Sequence, residues 1–152
     1  KFELGIDGEV TELNVENGVI YLPIDQDFTE ITLLLDMSVH LIRSNPKVRE
    51  NLGKVAIQRG PIIYCAEEVD NEEDLFSLYL NKNPNFISSF EKNTLGVVTV
   101  LETKDAFKKS NKNNELYVLD DDFTYEERNL RMIPYFSWAN REKGKMAVWI
   151  NE

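Results

Sequence analysis

The sequence predicts an all-β fold, an antiparallel two-sheet β-sandwich of jelly-roll-like type with room for one short helix in its loops. Short runs of β-branched and aromatic residues recur between turn signals. Two Asx-Gly dipeptides are placed to close tight hairpins, and no stretch sustains the apolar period of a helix. The 152 residues, 42% hydrophobic and 29% charged, are predicted to form a single domain over 1–152.

The first strands follow from alternation and turn chemistry. Phe2, Leu4 and Ile6 alternate with polar residues or glycine, as is typical of a half-buried strand. Two dipeptides tolerate positive φ and predict two hairpins: Asp7-Gly8, and Asn17-Gly18, which follows Leu13 and Val15. Further strands are predicted at 31–35, 39–42, 54–57, 62–66, 95–101, 130–136 and 146–150, with a turn at 25–27 before the first of them.

Two segments of the chain stand out by composition. Residues 62–66, Ile-Ile-Tyr-Cys-Ala, form an apolar run without alternation, which predicts a strand covered on both faces at the centre of the sandwich. Residues 104–114 are rich in lysine and asparagine and predict a mobile surface loop.

Charge and cysteine content narrow the possible partners. Asp and Glu outnumber Lys and Arg by 27 to 17, so the surface should repel nucleic acid and anionic membranes, and neither is an expected partner. No run approaches the roughly 20 apolar residues of a membrane helix. The chain begins with Lys1 and not with Met, so it is expected to be cut from a longer protein. It has a single cysteine and no N-glycosylation sequon, which favours a cytoplasmic location.

No catalytic residue, metal site or cofactor site is predicted in this chain. Cys65 lies in an apolar strand, where core packing is the favoured interpretation over a nucleophile. His40 has no second histidine or cysteine nearby and is predicted on an exposed strand face. Asp120-Asp121-Asp122 lacks the glycine and the ligand alternation of a calcium loop, which favours a solvated turn.

The aromatic residues near the C-terminus leave two interpretations open. Trp138, Trp149, Tyr135 and Phe136 are expected in the core or at a domain interface, and stacking on sugar rings is the alternative. Tyr135 and Phe136 would face opposite sides of an extended strand, so at most one of them could join a common platform.

Two longer motifs are more specific than composition and alternation. Residues 45–65 read NPKVRENLGKVAIQRGPIIYC, and residues 133–141 read IPYFSWANR with Met146-Ala147-Val148-Trp149 following. Both stretches resemble motifs in the C-terminal region of glycoside hydrolase family 127, and the resemblance spans most of the chain.

The resemblance implies a parent enzyme similar to β-L-arabinofuranosidases, in which an (α/α)-barrel catalytic domain precedes β-sandwich domains. In that family the nucleophile is a cysteine in a zinc-bound cluster on the barrel, so the resemblance implies zinc in the absent catalytic domain and none here. This chain would then be a non-catalytic structural domain that packs on the barrel or on a dimer partner. Arg59, Asn140 and Arg141 are its candidate interdomain contacts, and local hydrogen bonding is their alternative role. A carbohydrate-binding module is the second hypothesis, and an independent hydrolase is the third.

Overall fold

The computed structural model describes residues 2–11, 15–22, 30–71, 74–113 and 115–152. It divides into two compact units, Lys1–Ser38 and Val39–Glu152. The all-β class with one short helix is confirmed. The single domain over 1–152 and the two-sheet, jelly-roll-like arrangement stay predictions.

The first unit is built from short hairpins. Its strands are β1 Phe2–Ile6, β2 Glu9–Val10, β3 Val15–Glu16, β4 Val19–Ile20 and β5 Ile31–Leu35. They pair as a three-stranded sheet of order β2-β1-β5 and a two-stranded sheet β3-β4. Asp7 and Asn17 have φ of 49° and 51°, and the glycine after each also has positive φ, so both predicted hairpin turns are confirmed. Leu13, which is predicted to precede the second hairpin, and the predicted turn at 25–27 lie outside the described residues.

In the described residues of the second unit, nine strands are joined into one sheet. They are β6 Val39–Ile42, β7 Lys54–Arg59, β8 Ile62–Glu67, β9 Leu78–Leu80, β10 Ile87–Asn93, β11 Gly96–Asn111, β12 Phe123–Pro134, β13 Met146–Ala147 and β14 Trp149–Asn151. Helix α1 spans Glu68–Asn71, and 3₁₀ helices lie at Arg49–Asn51, Leu75–Ser77, Asp120–Asp122 and Tyr135–Ser137.

Strand pairing closes part of this sheet into a ring. The order is β13-β8-β12-β11-β9-β14-β7-β6, with β10 paired to β11, and β7 also pairs with β8. The six strands β8, β12, β11, β9, β14 and β7 are therefore linked in a closed circuit. Its pairs are antiparallel except the one between β9 and β14. The ring encloses the main apolar core, which contains Val55, Ile57, Tyr64, Ala66, Leu75, Leu78, Leu80, Leu101, Ala106, Leu130, Met132, Ala147 and Ile150.

Strand β8 is covered on both faces, as its apolar run predicts. Tyr64 and Ala66 pack in the main core, whereas Cys65 between them belongs to a second cluster with Val98, Val100 and Ile133 on the other side. Because successive side chains of a strand point to opposite faces, the outer face of the ring is apolar here as well.

The predicted loop at 104–114 is wrong, because strand β11 runs through it to Asn111. A β-bulge sets Lys104 and Asp105 against a single residue of β12, and the pairing then resumes. The lysines beyond the bulge have cross-strand partners: Lys108 lies opposite Glu126, and Lys109 lies over the ring of Phe123 at 4.0 Å. Such pairs stabilise a polar strand that residue composition alone assigns to a loop.

Strands β10 and β12 also depart from the sequence analysis. β10 has no predicted counterpart, since its Ser, Glu and Lys residues give it no apolar period. β12 begins at Phe123, seven residues before the predicted start, and ends at Pro134, where the chain turns into a 3₁₀ helix.

Candidate functional site

A buried carboxylate lies at the end of β8. Glu67 is only 5% exposed, and its Oε1 accepts a hydrogen bond from the backbone N–H of Ala139 at 2.7 Å. Ala139 has φ of 59°, a left-handed conformation that is costly for a residue with a Cβ. Arg141 donates from Nη2 to the other oxygen of Glu67 at 2.5 Å. Glu67 therefore fixes the backbone of the segment 138–141 and neutralises its arginine.

Asp70 on helix α1 extends this contact into a network. Arg141 binds both oxygens of Asp70, at 2.7 and 2.5 Å, and the Nε of Arg131 lies 3.4 Å from the same carboxylate. Arg131 in turn makes a two-pronged contact with Glu91, at 2.8 and 2.6 Å, and reaches Glu102 at 3.1 Å. The hydrogen bond from Arg131 lowers the pKa of Glu91. We call these residues the arginine–carboxylate network: Glu67, Asp70, Glu91, Glu102, Arg131 and Arg141.

Asn71, next to the network, ties helix α1 to β12. Its Nδ2 donates to the carbonyls of Glu67 and Arg131 at 2.9 and 2.8 Å, and its Oδ1 accepts the N–H of Arg131 at 2.8 Å. A buried amide that satisfies three backbone groups replaces ladder hydrogen bonds where the strand pairing stops. The sequence contains no signal for this role, because Arg131 lies 60 residues after Asn71.

Cys65 has the surroundings of a core residue. It is fully buried, and burial, followed by the negative charge of Glu67, raises the pKa of its thiol to about 12. Arg141 opposes this effect only in part. A thiol whose pKa is raised in this way is a poorer nucleophile and metal ligand at neutral pH. Cys65 lies in the core, as its apolar strand predicts, and the absence of a catalytic or metal-binding role for it stays a prediction.

The three candidate interdomain residues all have contacts within the chain. Arg141 belongs to the arginine–carboxylate network. The Nδ2 of Asn140 donates to the carbonyl of Trp138 at 3.0 Å. Arg59 lies beside the Tyr64 hydroxyl, and its charge opposes the rise in the Tyr64 pKa that burial causes. These local contacts agree with the alternative role of all three residues, and their part in an interdomain contact stays a prediction.

The other candidate residues lie at the surface. His40 is exposed on β6, as predicted. Asp120–Asp122 form a 3₁₀ helix, and the Asp121 carbonyl accepts a hydrogen bond from the Lys112 ammonium at 2.9 Å. Across the described parts of the chain, no group of three or more His, Cys, Asp and Glu side chains is arranged to hold a metal ion. Within the same parts, none of the helices has the length and apolar character needed to cross a membrane.

The aromatic residues near the C-terminus are not core residues as a set. Tyr135, Phe136 and Trp138 are exposed, and Trp149 is half-buried. The prediction that Tyr135 and Phe136 face opposite sides of a strand is wrong, because both lie in a 3₁₀ helix. Tyr135 instead stacks on Trp138 with 6.5 Å between ring centroids.

Most of this chain matches the model of a known protein family. Residues 39–151 match the model described as the glycoside hydrolase family 127 C-terminal domain. The chain belongs to glycoside hydrolase family 127. The match begins at Val39, the first residue of the second compact unit, so that unit corresponds to the family's C-terminal domain.

Relatives of this family 127 chain are much longer proteins. It is 37% identical to the non-reducing end β-L-arabinofuranosidase of Bifidobacterium longum subsp. longum, over 97% of this chain and 23% of that protein. A family 127 β-L-arabinofuranosidase of Geobacillus stearothermophilus T6 has a crystal structure that superposes with a TM-score of 0.84 at 34% identity. That match covers 100% of this chain and 24% of the other. A second solved structure, a family 127 β-arabinofuranosidase, gives a TM-score of 0.82 at 30% identity, over 99% of this chain and 23% of that one. The chain thus spans about a quarter of the length of the relatives it matches.

Proposed function

We propose that this chain is a non-catalytic structural part of a β-L-arabinofuranosidase-like glycoside hydrolase, and that it packs on the catalytic domain of that longer protein. The observation that carries the proposal is an apolar sheet face in the first unit, formed by alternate residues of β1 and β5. We call it the β1/β5 face: Phe2, Leu4, Ile6, Ile31, Leu33 and Leu35.

The pairing of β1 with β5 places these residues on one side of the sheet. Leu4 lies opposite Leu33 and Phe2 opposite Leu35, so their side chains share a face. The other face carries Glu3, Gly5, Thr32 and Leu34. Leu4 is buried, but Phe2, Ile31, Leu33 and Leu35 around it are each about half exposed, although a soluble domain normally buries such residues together. Covering this face with another domain would remove that apolar surface from water.

The chemistry of the second unit supports the non-catalytic part of the proposal. A glycosidase with paired carboxylates needs two of them facing one sugar. Glu67 and Asp70 instead bind Arg141 between them, and Cys65 is buried with a raised pKa. Relatives about four times as long as this chain have ample polypeptide for a separate catalytic domain. Arg59, Asn140 and Arg141 remain proposed secondary contacts.

A pair of leucines on one strand tests the β1/β5 face. Leu33 and Leu34 are 52% and 58% exposed but point to opposite faces of β5. In the longer protein, Leu33→Asp is expected to lower the thermal midpoint of the catalytic domain and the hydrolysis of an aryl β-L-arabinofuranoside, because a charge at a packed interface is costly.

The matched control, Leu34→Asp, should leave both quantities near their unmodified values. Calorimetry and initial rates measured on the same preparations compare the two variants. Equal effects of the two substitutions, or no effect of either, would show that the catalytic domain does not pack on the β1/β5 face.

A further inference from the structure

We propose that the outer surface of β9, β11 and β12 binds an uncharged saccharide, at a site formed by Phe107 and Tyr125 with Asn81, Lys104, Asp105 and Glu127. The proposal does not depend on the structural role above, since it concerns a different surface in the second unit. It also differs from the sugar-stacking alternative of the sequence analysis, which involved Trp138, Trp149, Tyr135 and Phe136.

Strand register points a row of aromatic rings away from the core. Phe107 lies opposite Tyr79 on β9 and Glu127 on β12, and Lys109 lies opposite Tyr125. Ala106 and Leu80 alternate with these residues and are buried in the main core. Phe107 and the residues in register with it must therefore face outward.

The rings of this row are close enough to act together. Tyr79 and Phe107 stack with centroids 5.4 Å apart and planes 13° from parallel. The Tyr125 ring meets Phe107 edge-on at 5.7 Å. Tyr125 is 57% exposed, so its ring and hydroxyl are accessible to a ligand. Such a ring offers an apolar surface for the C–H groups of a sugar and a hydroxyl for hydrogen bonding.

The β-bulge provides a concave wall beside the rings. A cavity of about 480 Å³ there is lined by Asn81, Lys104, Asp105, Ala106, Phe107, Tyr125 and Glu127. This volume lies within the range of about 300–1,000 Å³ that is usual for small-ligand sites. The bulge places Lys104 and Asp105 at the edge of the cavity. The backbone carbonyl and the carboxylate of Asp105 also hold the 81–85 segment through the N–H groups of Asn81 and Asn85, both within 2.9 Å.

The charges around the site favour an uncharged ligand. Lys104, Asp105 and Glu127 line the cavity, and the Lys109 ammonium, outside the lining, lies 5.7 Å from the centre of the Tyr125 ring, so the two carboxylates have two cations near them. An anionic or cationic ligand would gain little from this arrangement, whereas carboxylate, ammonium and amide groups all hydrogen-bond sugar hydroxyls. Among the described residues of the lining, Ala106 alone has an aliphatic side chain, although protein interfaces usually bury several aliphatic groups at their centre.

Titration of the 152-residue chain with neutral arabino-oligosaccharides of two and three residues tests the proposal. Saturable binding is expected by calorimetry or by saturation-transfer NMR. Tyr125→Ala should weaken it about tenfold or more, and Tyr125→Phe, which keeps the ring, by less than about threefold. Tyr117→Ala is the matched control, because Tyr117 is 92% exposed and lies outside the row. Circular dichroism of each variant verifies the fold.

Three results would overturn the proposal. They are the absence of saturable binding of neutral oligosaccharides, binding that Tyr125→Ala leaves unchanged, and tighter binding of a galacturonic acid trimer than of its neutral counterparts. None of these results changes the expectation for Leu33→Asp, so the two proposals fail independently.

Discussion

Replacing Arg141 with alanine is expected to lower the free energy of unfolding of the second unit by about 3 kcal/mol, because it leaves buried carboxylates without their main counter-charge. Glu67 and Asp70 expose only 6% and 11% of their side chains, so water cannot take over from the guanidinium. The nearby Arg131 still attracts Asp70, which places the expected loss at the lower end for a broken buried ion pair. The segment around Ala139 should loosen as well.

Urea unfolding followed by the fluorescence of Trp138 and Trp149 measures this loss. Arg141→Lys keeps the charge but not the two-pronged geometry, so an intermediate loss is expected. Arg43→Ala is the control, since Arg43 pairs with Glu152 at the surface, and exposed pairs contribute about 0–1 kcal/mol. A loss for Arg141→Ala no larger than that for Arg43→Ala would mean that the network contributes no more than a surface ion pair.

Tyr64→Ala is expected to destabilise the second unit by about 3–5 kcal/mol, the usual cost of deleting a fully buried aromatic ring. Tyr64 lies inside the closed ring of strands with no exposed surface, and its hydroxyl donates to the Thr99 carbonyl at 3.0 Å. The substitution removes the apolar contacts of the ring and leaves a cavity between β8 and β11.

Tyr64→Phe separates the ring from the hydroxyl. It keeps the packing and loses one hydrogen bond, so a loss of about 1 kcal/mol is expected in the same urea experiment. If the two variants were equally destabilised, the ring would not be part of the core, and the assignment of β8 to the centre of the fold would be wrong.

Features that depend on neighbouring residues could be predicted from the sequence. The Asp7-Gly8 and Asn17-Gly18 turns are set by the φ preferences of two adjacent residues. The two-sided burial of β8 is encoded in its uninterrupted apolar run. The family could also be predicted, because residues 45–65 and 133–141 carry its motifs and the family model matches 39–151.

Features that depend on residues far apart in the chain could not be predicted from the sequence. The part of strand β11 from Lys104 onward reads as a loop because its lysines are stabilised by partners on β12, and the bulge at Lys104 interrupts any alternation. In the arginine–carboxylate network, Arg141 binds Asp70 and Glu67, which precede it by 71 and 74 positions. The outward row of Tyr79, Phe107 and Tyr125 combines three strands, one of which was assigned to the loop. Tertiary pairing, which local propensity does not contain, decides these features.

Hydrolysis of an aryl β-L-arabinofuranoside by the purified 152-residue chain tests most directly whether the sugar-cleaving groups lie elsewhere. The proposed structural role predicts a rate equal to that of buffer at every chain concentration, with or without added zinc. A rate that rises in proportion to the chain concentration and disappears in Cys65→Ser or Glu67→Gln would contradict it.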